Sequence, residues 1–142
     1  MDLQKRVDSL ADFKLCKGNN YPITLTSMSI SPNPLVAGQN ITVRMVGKTT
    51  VVIEKGALMR IYHDPKGKFE HEADFCKLFV EPSGSMCPVE KGNLDFTATW
   101  LIEQDPSGPK NIITSLYTKS TISNPDEQIL LCNEGMLKVF HP

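Results

Sequence analysis

The sequence predicts an all-β chain folded as a two-sheet antiparallel sandwich, immunoglobulin-like in outline. Three observations predict it. Along 94–103, Leu94, Phe96, Ala98, Trp100 and Ile102 alternate with Asp95, Thr97, Thr99 and Glu103. That period of two is the pattern of a half-buried strand. Similar short runs recur between Gly, Pro, Asn and Asp turns, giving about seven or eight strands. No stretch of about ten residues or more keeps a helical period.

In order, "YPITLTSMSISPNP" is β-branched and ends on two prolines, a strand followed by a stop. In "VAGQNITVRMVG", a turn at Ala37–Gly38 leads into a strand with Ile41, Val43 and Met45 on one face and Thr42 and Arg44 on the other. "TTVVIEKGALMRIYHD" puts Ala57, Met59 and Ile61 on one face and Arg60 opposite. Asp64-Pro65-Lys66-Gly67 is a turn, and an extended segment then runs to Cys76. Pro82 to Ser85 read as loop before the strand at 94–103. "DPSGPK" turns the chain into "NIITSLYTKST", with Ile112, Thr114 and Leu116 on one side. "SNPDEQ" turns it again, and "ILLCNEGMLKVF" closes it with one or two strands. Residues 1–12 are charged and aperiodic and read as a tail on a single domain spanning 1–142.

Composition excludes several classes. A length of 142 residues with 40% hydrophobic residues suffices for one core. A net charge of −1 without a basic stripe gives no footprint for nucleic acid. No apolar run reaches the roughly 18 residues of a membrane-spanning helix. "MDLQKRVDSLADFKL" lacks the apolar region of a signal peptide, so a secreted form would have lost its signal.

The four cysteines, Cys16, Cys76, Cys87 and Cys132, form no C-x-x-C and match no zinc spacing. They are either buried thiols or two disulfides of an oxidising compartment. Of the three possible pairings, the favoured one joins Cys76 to Cys87 across a short loop and Cys16 to Cys132 near the two ends. In the chain-entropy model these closures contribute about 3 and about 5 kcal/mol as upper values. Asn40-Ile41-Thr42 is a glycosylation sequon, with Asn40 as the acceptor, and adds a weak pointer to secretion.

No constellation points to catalysis. "HDPKGKFEHEAD" gathers His63, Asp64, Glu70, His71, Glu72 and Asp74, but position 75 is Phe, so H-E-x-x-H is absent. A strand scatters these side chains over two faces, and a solvated hairpin accounts for them. There is no G-x-S-x-G and no glycine-rich phosphate loop. Ser83 to Ser85 and the Asp126–Glu127 pair read as turn residues, and His141 has no neighbour that marks a triad. No enzyme activity, metal or cofactor is expected. What remains is the interior. The inward set is Val43, Met45, Met59, Ile61, Phe96, Ala98, Trp100, Ile112 and Leu116, and it carries no charge. These residues either pack on each other or line a ligand space, where methionines adapt to shape.

The order of several motifs resembles the ML, or lipid-recognition, family, which includes soluble Niemann–Pick type C sterol carriers and fungal phosphatidylglycerol/phosphatidylinositol transfer proteins. The motifs are Cys16-x-Gly18, "SISPNP", "GQNITV", "IEKGALMRIYH" leading to "DFC", "CPVEKG" and "ILLCNEGMLKVF", together covering 16–140. The resemblance implies a lipid cavity between the sheets and the same disulfide pairing, Cys16–Cys132 and Cys76–Cys87. It implies a soluble carrier of sterol or phospholipid that touches membrane surfaces, and it allows a membrane-bound sterol transporter as partner. It implies secretion or residence in a vacuolar or lysosomal lumen. It places the cavity mouth between the turn at 65–69 and the segment 102–109, with Phe69 and Ile102 at the rim. Two departures stand out: "SPNP" has Asn33 and Pro34 where animal members have a cysteine, and "LIEQDPSGPKN" is less apolar than the family's entrance segment. The competing function class is a protein-binding or adhesion module with a solid core.

Overall fold

A computed structural model describes residues 13–16, 20–64 and 69–142. The expected tail at 1–12, Gly18 and the turn at 65–67 lie outside the described residues, as do the side chains of Asp64, Phe69 and Glu70. The strands are β1 (Phe13–Leu15), β2 (Ile23–Ser31), β3 (Leu35–Val36), β4 (Asn40–Thr49), β5 (Leu58–Asp64), β6 (Phe69–Asp74), β7 (Gly92–Leu101), β8 (Ile112–Ser123) and β9 (Ile129–His141). They form two facing sheets. One runs β1-β9-β8-β5-β6, with β3 added in parallel to β9; the other is β2-β4-β7. Every other pairing is antiparallel.

The alternation of the sequence becomes the two faces of each strand. In the three-stranded sheet, Ile41, Val43 and Met45 lie beside Trp100, Ala98 and Phe96. All but Trp100 are buried, facing the other sheet. Arg44 lies on the opposite, solvent side and forms a two-pronged ion pair with Asp95. In the wide sheet, Met59 lies beside Ile122, and Ile122 beside Leu131, all three buried. Arg60 pairs with Glu72 on its solvent side. Both ion pairs are exposed, so they specify register more than they stabilise.

Several elements depart from the sequence reading. The run from Thr49 to Ile61 is not one strand: it leaves β4, makes a single bridge between Ile53 and Val89, and turns at Lys55–Gly56 before β5. Buried Asn124 holds this detour in place. Its Oδ1 accepts the Glu54 N–H at 2.8 Å and its Nδ2 donates to the Val52 carbonyl at 2.9 Å. The closing segment is one long strand, and β1 and β3, two or three residues each, carry no signal in the sequence. The cysteine loop is partly helical: a π-turn over Cys76–Val80 runs into a 3₁₀ turn over Glu81–Ser83.

One glycine is fixed by a close approach. Between Leu25 and Ser27 the β2–β4 register shifts, and the bulge presses against Gly47. A Cβ there would lie 2.1 Å from the Thr24 carbonyl oxygen and 2.8 Å from the Leu25 Cα. Both obstacles are backbone, so relief requires β2 to move. Gly47→Ala is expected to lower stability by about 3 kcal/mol, the range of severe backbone and packing lesions. Urea denaturation followed by tryptophan fluorescence measures it; a loss under about 0.5 kcal/mol would show that the bulge relaxes freely.

Candidate functional site

The site is built from the way the two sheets meet along the edges β6 and β7. The chain passes from one edge to the other through the loop 75–91, closed by the Cys76–Cys87 disulfide. The second disulfide joins Cys16 to Cys132, beside β1 and β9. This is the pairing favoured from the sequence, and no described cysteine is free.

The cysteine loop is a plug. Phe75, Phe79 and Val80 are buried on its inner side. Phe75 stacks on Phe79 at 5.2 Å and meets Phe96 edge-on at 6.2 Å; Phe79 meets Trp100 edge-on at 6.3 Å. Such arrangements suit aromatic quadrupoles. Ser83, read from the sequence as a turn residue, fastens the plug to β7: its Oγ donates to the Phe79 carbonyl at 2.8 Å and accepts the Thr97 N–H at 2.8 Å.

Along β7, β5 and β8, inward-pointing side chains are less covered toward the Trp100, His63 and Ile112 ends of those strands. On β7, Leu94, Phe96 and Ala98 are buried and Trp100 is half-buried, as is Ile102 just beyond the strand. On β5, Met59 is buried, while Ile61 and His63 are half-buried. On β8, Ile122 and Thr118 are buried, Leu116 is half-buried and Ile112 is 46% exposed. Leu94 to Trp100, Met59 to His63 and Ile122 to Ile112 keep the inward phase at alternate positions, and their cover thins toward one end of the strands.

The nine inward residues named from the sequence therefore fall into three groups. Val43, Met45, Met59, Phe96 and Ala98 are buried core. Ile61, Trp100 and Leu116 line the less covered half, packed against that core. Ile112 shares their phase but lies at the strand tip, where the opposing sheet gives it little cover. Of the two expected rim residues, Ile102 is half-buried just beyond β7, its backbone bonded to Gly38 and Gln39. Phe69 begins β6 opposite His63, but its side chain is outside the described residues. Asn40 is exposed at the first position of β4. A shallow depression around Thr26, Val46, Lys48 and Asp95 lies on the solvent side of the small sheet, away from the space between the sheets.

The sequence reading missed the polarity of one wall. The inner face of the wide sheet carries His71 on β6, His63 on β5, Thr118 and Ser120 on β8 and Asn133 on β9, in register across four strands. Asn133 is buried, and its Nδ2 points at the Met28 sulfur of β2, 4.0 Å away. His63 Nδ1 is 3.0 Å from Thr118 Oγ1, and the His63 and His71 rings meet edge-on at 6.2 Å. The facing positions on β4 and β7 are apolar: Ile41, Val43, Met45, Phe96, Ala98 and Trp100. The hairpin expected to be solvated does reach solvent on both faces, with His71 exposed and His63 half-buried, although its odd positions turn toward the inner face.

The arrangement defines a small, disulfide-stapled β-sandwich whose inward side chains lose cover toward one end, with the aromatic cysteine loop packed along the β7 edge. Residues 11–136 match the family model of the ML domain, and the chain belongs to that family. A phosphatidylglycerol/phosphatidylinositol transfer protein of Pyricularia oryzae is 26% identical over 124 residues, covering 84% of this chain and 69% of the relative. One of the same description from Candida albicans is 31% identical over 111 residues, covering 76% of this chain and 54% of the relative, so this chain spans little more than half of that protein. The crystal structure of a Niemann–Pick type C2 protein from the Japanese carpenter ant superposes with a TM-score of 0.66 at 18% identity, over 89% of this chain and 98% of that one, and shares the fold.

Burial, and secondarily the neighbouring His71, holds the His63 imidazole below its ordinary value of 6.5. The neutral ring is the form that fits the fold, so the unfolded chain binds more protons at this position. The stability contributed by neutral His63 is complete above the ordinary value and is lost as pH falls through it toward the depressed one. Thermal melts of the ligand-free protein between about pH 7.5 and about pH 4.5 are expected to show this decline, and His63→Gln is expected to flatten it. An unchanged slope in the variant would show that other groups carry the dependence.

Proposed function

We propose that this chain is a lipid carrier that takes a phospholipid or sterol into the space between its sheets and moves it between membranes. The observation that carries the reading is the burial gradient: inward Leu94, Phe96 and Ala98 are closed off, whereas Ile61, Trp100 and Leu116 on the same inward phase are still partly reachable. A solid adhesion-type sandwich would bury Ile61, Trp100 and Leu116 as completely as Phe96. The names of the fungal relatives favour a glycerophospholipid over a sterol as cargo.

Such transfer needs no covalent step. Removing hydrocarbon from water is favourable by about 0.8 kcal/mol per CH₂, but bilayer and protein interior both satisfy that term. The carrier's task is to shield the chain in transit while cavity shape and a few polar groups select it. The mouth in this reading opens between the β5–β6 tip, where Phe69 lies, and the segment after β7, where Ile102 lies. Exposed Leu101, Ile112 and Ile113 around the same end would meet the bilayer as cargo crosses. Two disulfides suit secretion or a lumenal compartment, with Asn40 available for glycosylation. A sterol cargo could then be handed to a membrane-bound transporter.

Native mass spectrometry of the purified protein should find bound lipid, and fluorescent-lipid transfer between vesicles should be catalytic in protein. Two substitutions separate an open interior from a solid one. Leu116→Trp adds volume in the reachable half and is expected to cut transfer about fivefold or more while moving the melting temperature by less than about 3 °C. Ala98→Trp adds volume in the closed core, where Ala98 is 1% exposed, and is expected to cost about 3 kcal/mol. Equal destabilisation by both, with no lipid bound to the parent protein, would establish a solid core and overturn the reading.

A further inference from the structure

We propose that Asn40 carries an N-linked glycan whose first sugar lies over Leu101 and masks it, so that the glycosylated chain docks on bilayers less well than the bare one. The proposal rests on the carrier reading, which gives exposed Leu101 to the bilayer, and adds to it a covalent control of that contact.

The sequon Asn40-Ile41-Thr42 opens β4, and Asn40 is exposed. Its ladder partner on β7 is Leu101, which is 57% exposed. Ladder partners share a face, so both side chains stand on the outer face of the small sheet. The Ile102 N–H donates to the Gln39 carbonyl at 3.0 Å, which makes Asn40 and Leu101 the adjacent, non-hydrogen-bonded pair. Side chains approach most closely at such pairs. One repeat further along, Thr42 and Thr99 form another, and their hydroxyls are 3.2 Å apart. The Gly38 N–H, bonded to the Ile102 carbonyl at 2.8 Å, holds the register from the turn side. A sugar on the Asn40 amide therefore starts beside Leu101, at a Cβ separation of about 5 Å. The neighbouring row, Ser31, Thr42 and Thr99, is polar, and Arg44 follows it, so Leu101 is the apolar end of a polar face. The C–H face and acetamide methyl of N-acetylglucosamine match an aliphatic side chain of that size, while the outer sugars are bulky and hydrated.

The modification needs a glycosylating lumen, the kind of compartment that two disulfides suit. The sugar donor is a lipid-linked diphospho-oligosaccharide. The Asn40 side-chain nitrogen attacks C1 of its terminal N-acetylglucosamine. The N–C1 bond forms, the bond from C1 to the diphosphate oxygen breaks, the diphosphate leaves with the electron pair, and the amide gives up one proton. Transfer takes place on the unfolded chain, so the Thr42 hydroxyl can serve the transferase before Thr99 comes beside it. The effect on docking follows from position. The Ala37 N–H donates to the Phe140 carbonyl at 2.9 Å, and Phe140 pairs with Ile113. The turn before Asn40 is thus tied to the end of the wide sheet where exposed Ile112 and Ile113 lie. A hydrated oligosaccharide at this place covers Leu101 directly and holds the apolar end of the sandwich away from a bilayer.

The test secretes the full chain from a eukaryotic host and reads Asn40 occupancy by mass spectrometry of the glycopeptide. Transfer of a fluorescent phosphatidylglycerol between phosphatidylcholine vesicles is then compared for the glycosylated chain, Asn40→Gln, Leu101→Thr and the double variant, with thermal melts as a check on folding. Asn40→Gln is expected to transfer about fivefold faster than the glycosylated chain, the scale of one leucine regaining its apolar contact. Leu101→Thr is expected to bring the bare and glycosylated forms within about twofold of each other, because the contact that the sugar masks is gone. Trimming the glycan to its first N-acetylglucosamine provides a second measurement that leaves the protein sequence unchanged. That single sugar is expected to keep at least about half of the masking, since it is the one placed over Leu101. An unoccupied Asn40 overturns the proposal, as does equal transfer by the glycosylated chain and Asn40→Gln. A glycan effect that persists undiminished in Leu101→Thr, or vanishes on trimming, assigns the effect to bulk elsewhere and overturns the mask over Leu101. If neither the glycosylated nor the bare form binds or transfers lipid, the carrier reading itself fails; lipid transfer that is indifferent to the glycan leaves the carrier standing and removes only the mask.

Discussion

The two sheets are unequal in width, and much else depends on that mismatch. With strands about 4.8 Å apart, three strands span about 10 Å between outer axes and five span about 19 Å. The small sheet β2-β4-β7 cannot cover the inner face of β1-β9-β8-β5-β6. The uncovered remainder must be filled by something other than a strand, or be compatible with water. Both solutions occur here. At one end the loop between the Cys76 and Cys87 sulfurs fills it with Phe75, Phe79 and Val80. Toward the Trp100, His63 and Ile112 ends of the strands cover thins, and the wall of the wide sheet there mixes His63, His71 and Thr118 with Ile61 and Leu116.

This view explains the polar wall without reference to any ligand. A fully buried imidazole or hydroxyl is costly unless bonded, and a wholly apolar overhang would be an aggregation-prone patch. Half-buried positions at the end of an edge hairpin tolerate polar side chains, and the Thr118 hydroxyl gives His63 a partner.

What was legible in the sequence follows from the same mismatch. Where both faces of a strand have settled environments, period-two alternation is clean: Leu94 to Ile102 and Ile41 to Met45 were assigned to the right faces, and so were Met59 and Ile61. Where the inner face is only partly covered, the alternation fades. β8 carries Thr114, Thr118 and Ser120 on one side and Ser115, Tyr117 and Lys119 on the other, so its phase was anchored only by Leu116 and Ile112, and its polar half went unrecognised. His63 and His71 looked like a solvated hairpin because their inward phase has meaning only once the sheet is assembled. The plug was read as loop because five helical residues between two cysteines are too few for a 3.6-residue period to declare itself. β1 and β3 exist only through their pairing with β9, a purely tertiary cause. For the disulfides, spacing favours the observed pairing among three, and the resemblance to the family implies it.

The two disulfides also impose an order on oxidation during folding. Cys76 and Cys87 are 11 residues apart, whereas Cys16 and Cys132 are 116 apart. Loop-closure entropy disfavours the longer encounter by about 2 kcal/mol in an unstructured chain. The shorter ring can close before any sheet exists, bringing Phe75, Phe79 and Val80 into one preformed apolar knob for β7 to dock on. The longer bond joins the segment after β1 to β9, the last strand in chain order among those described, so its sulfurs meet durably only after the wide sheet has formed around β8 and β5. One bond therefore acts as a nucleus and the other as a latch. A compartment that oxidises thiols indiscriminately would still tend to make them in that sequence, because topology rather than reagent sets which pair is near.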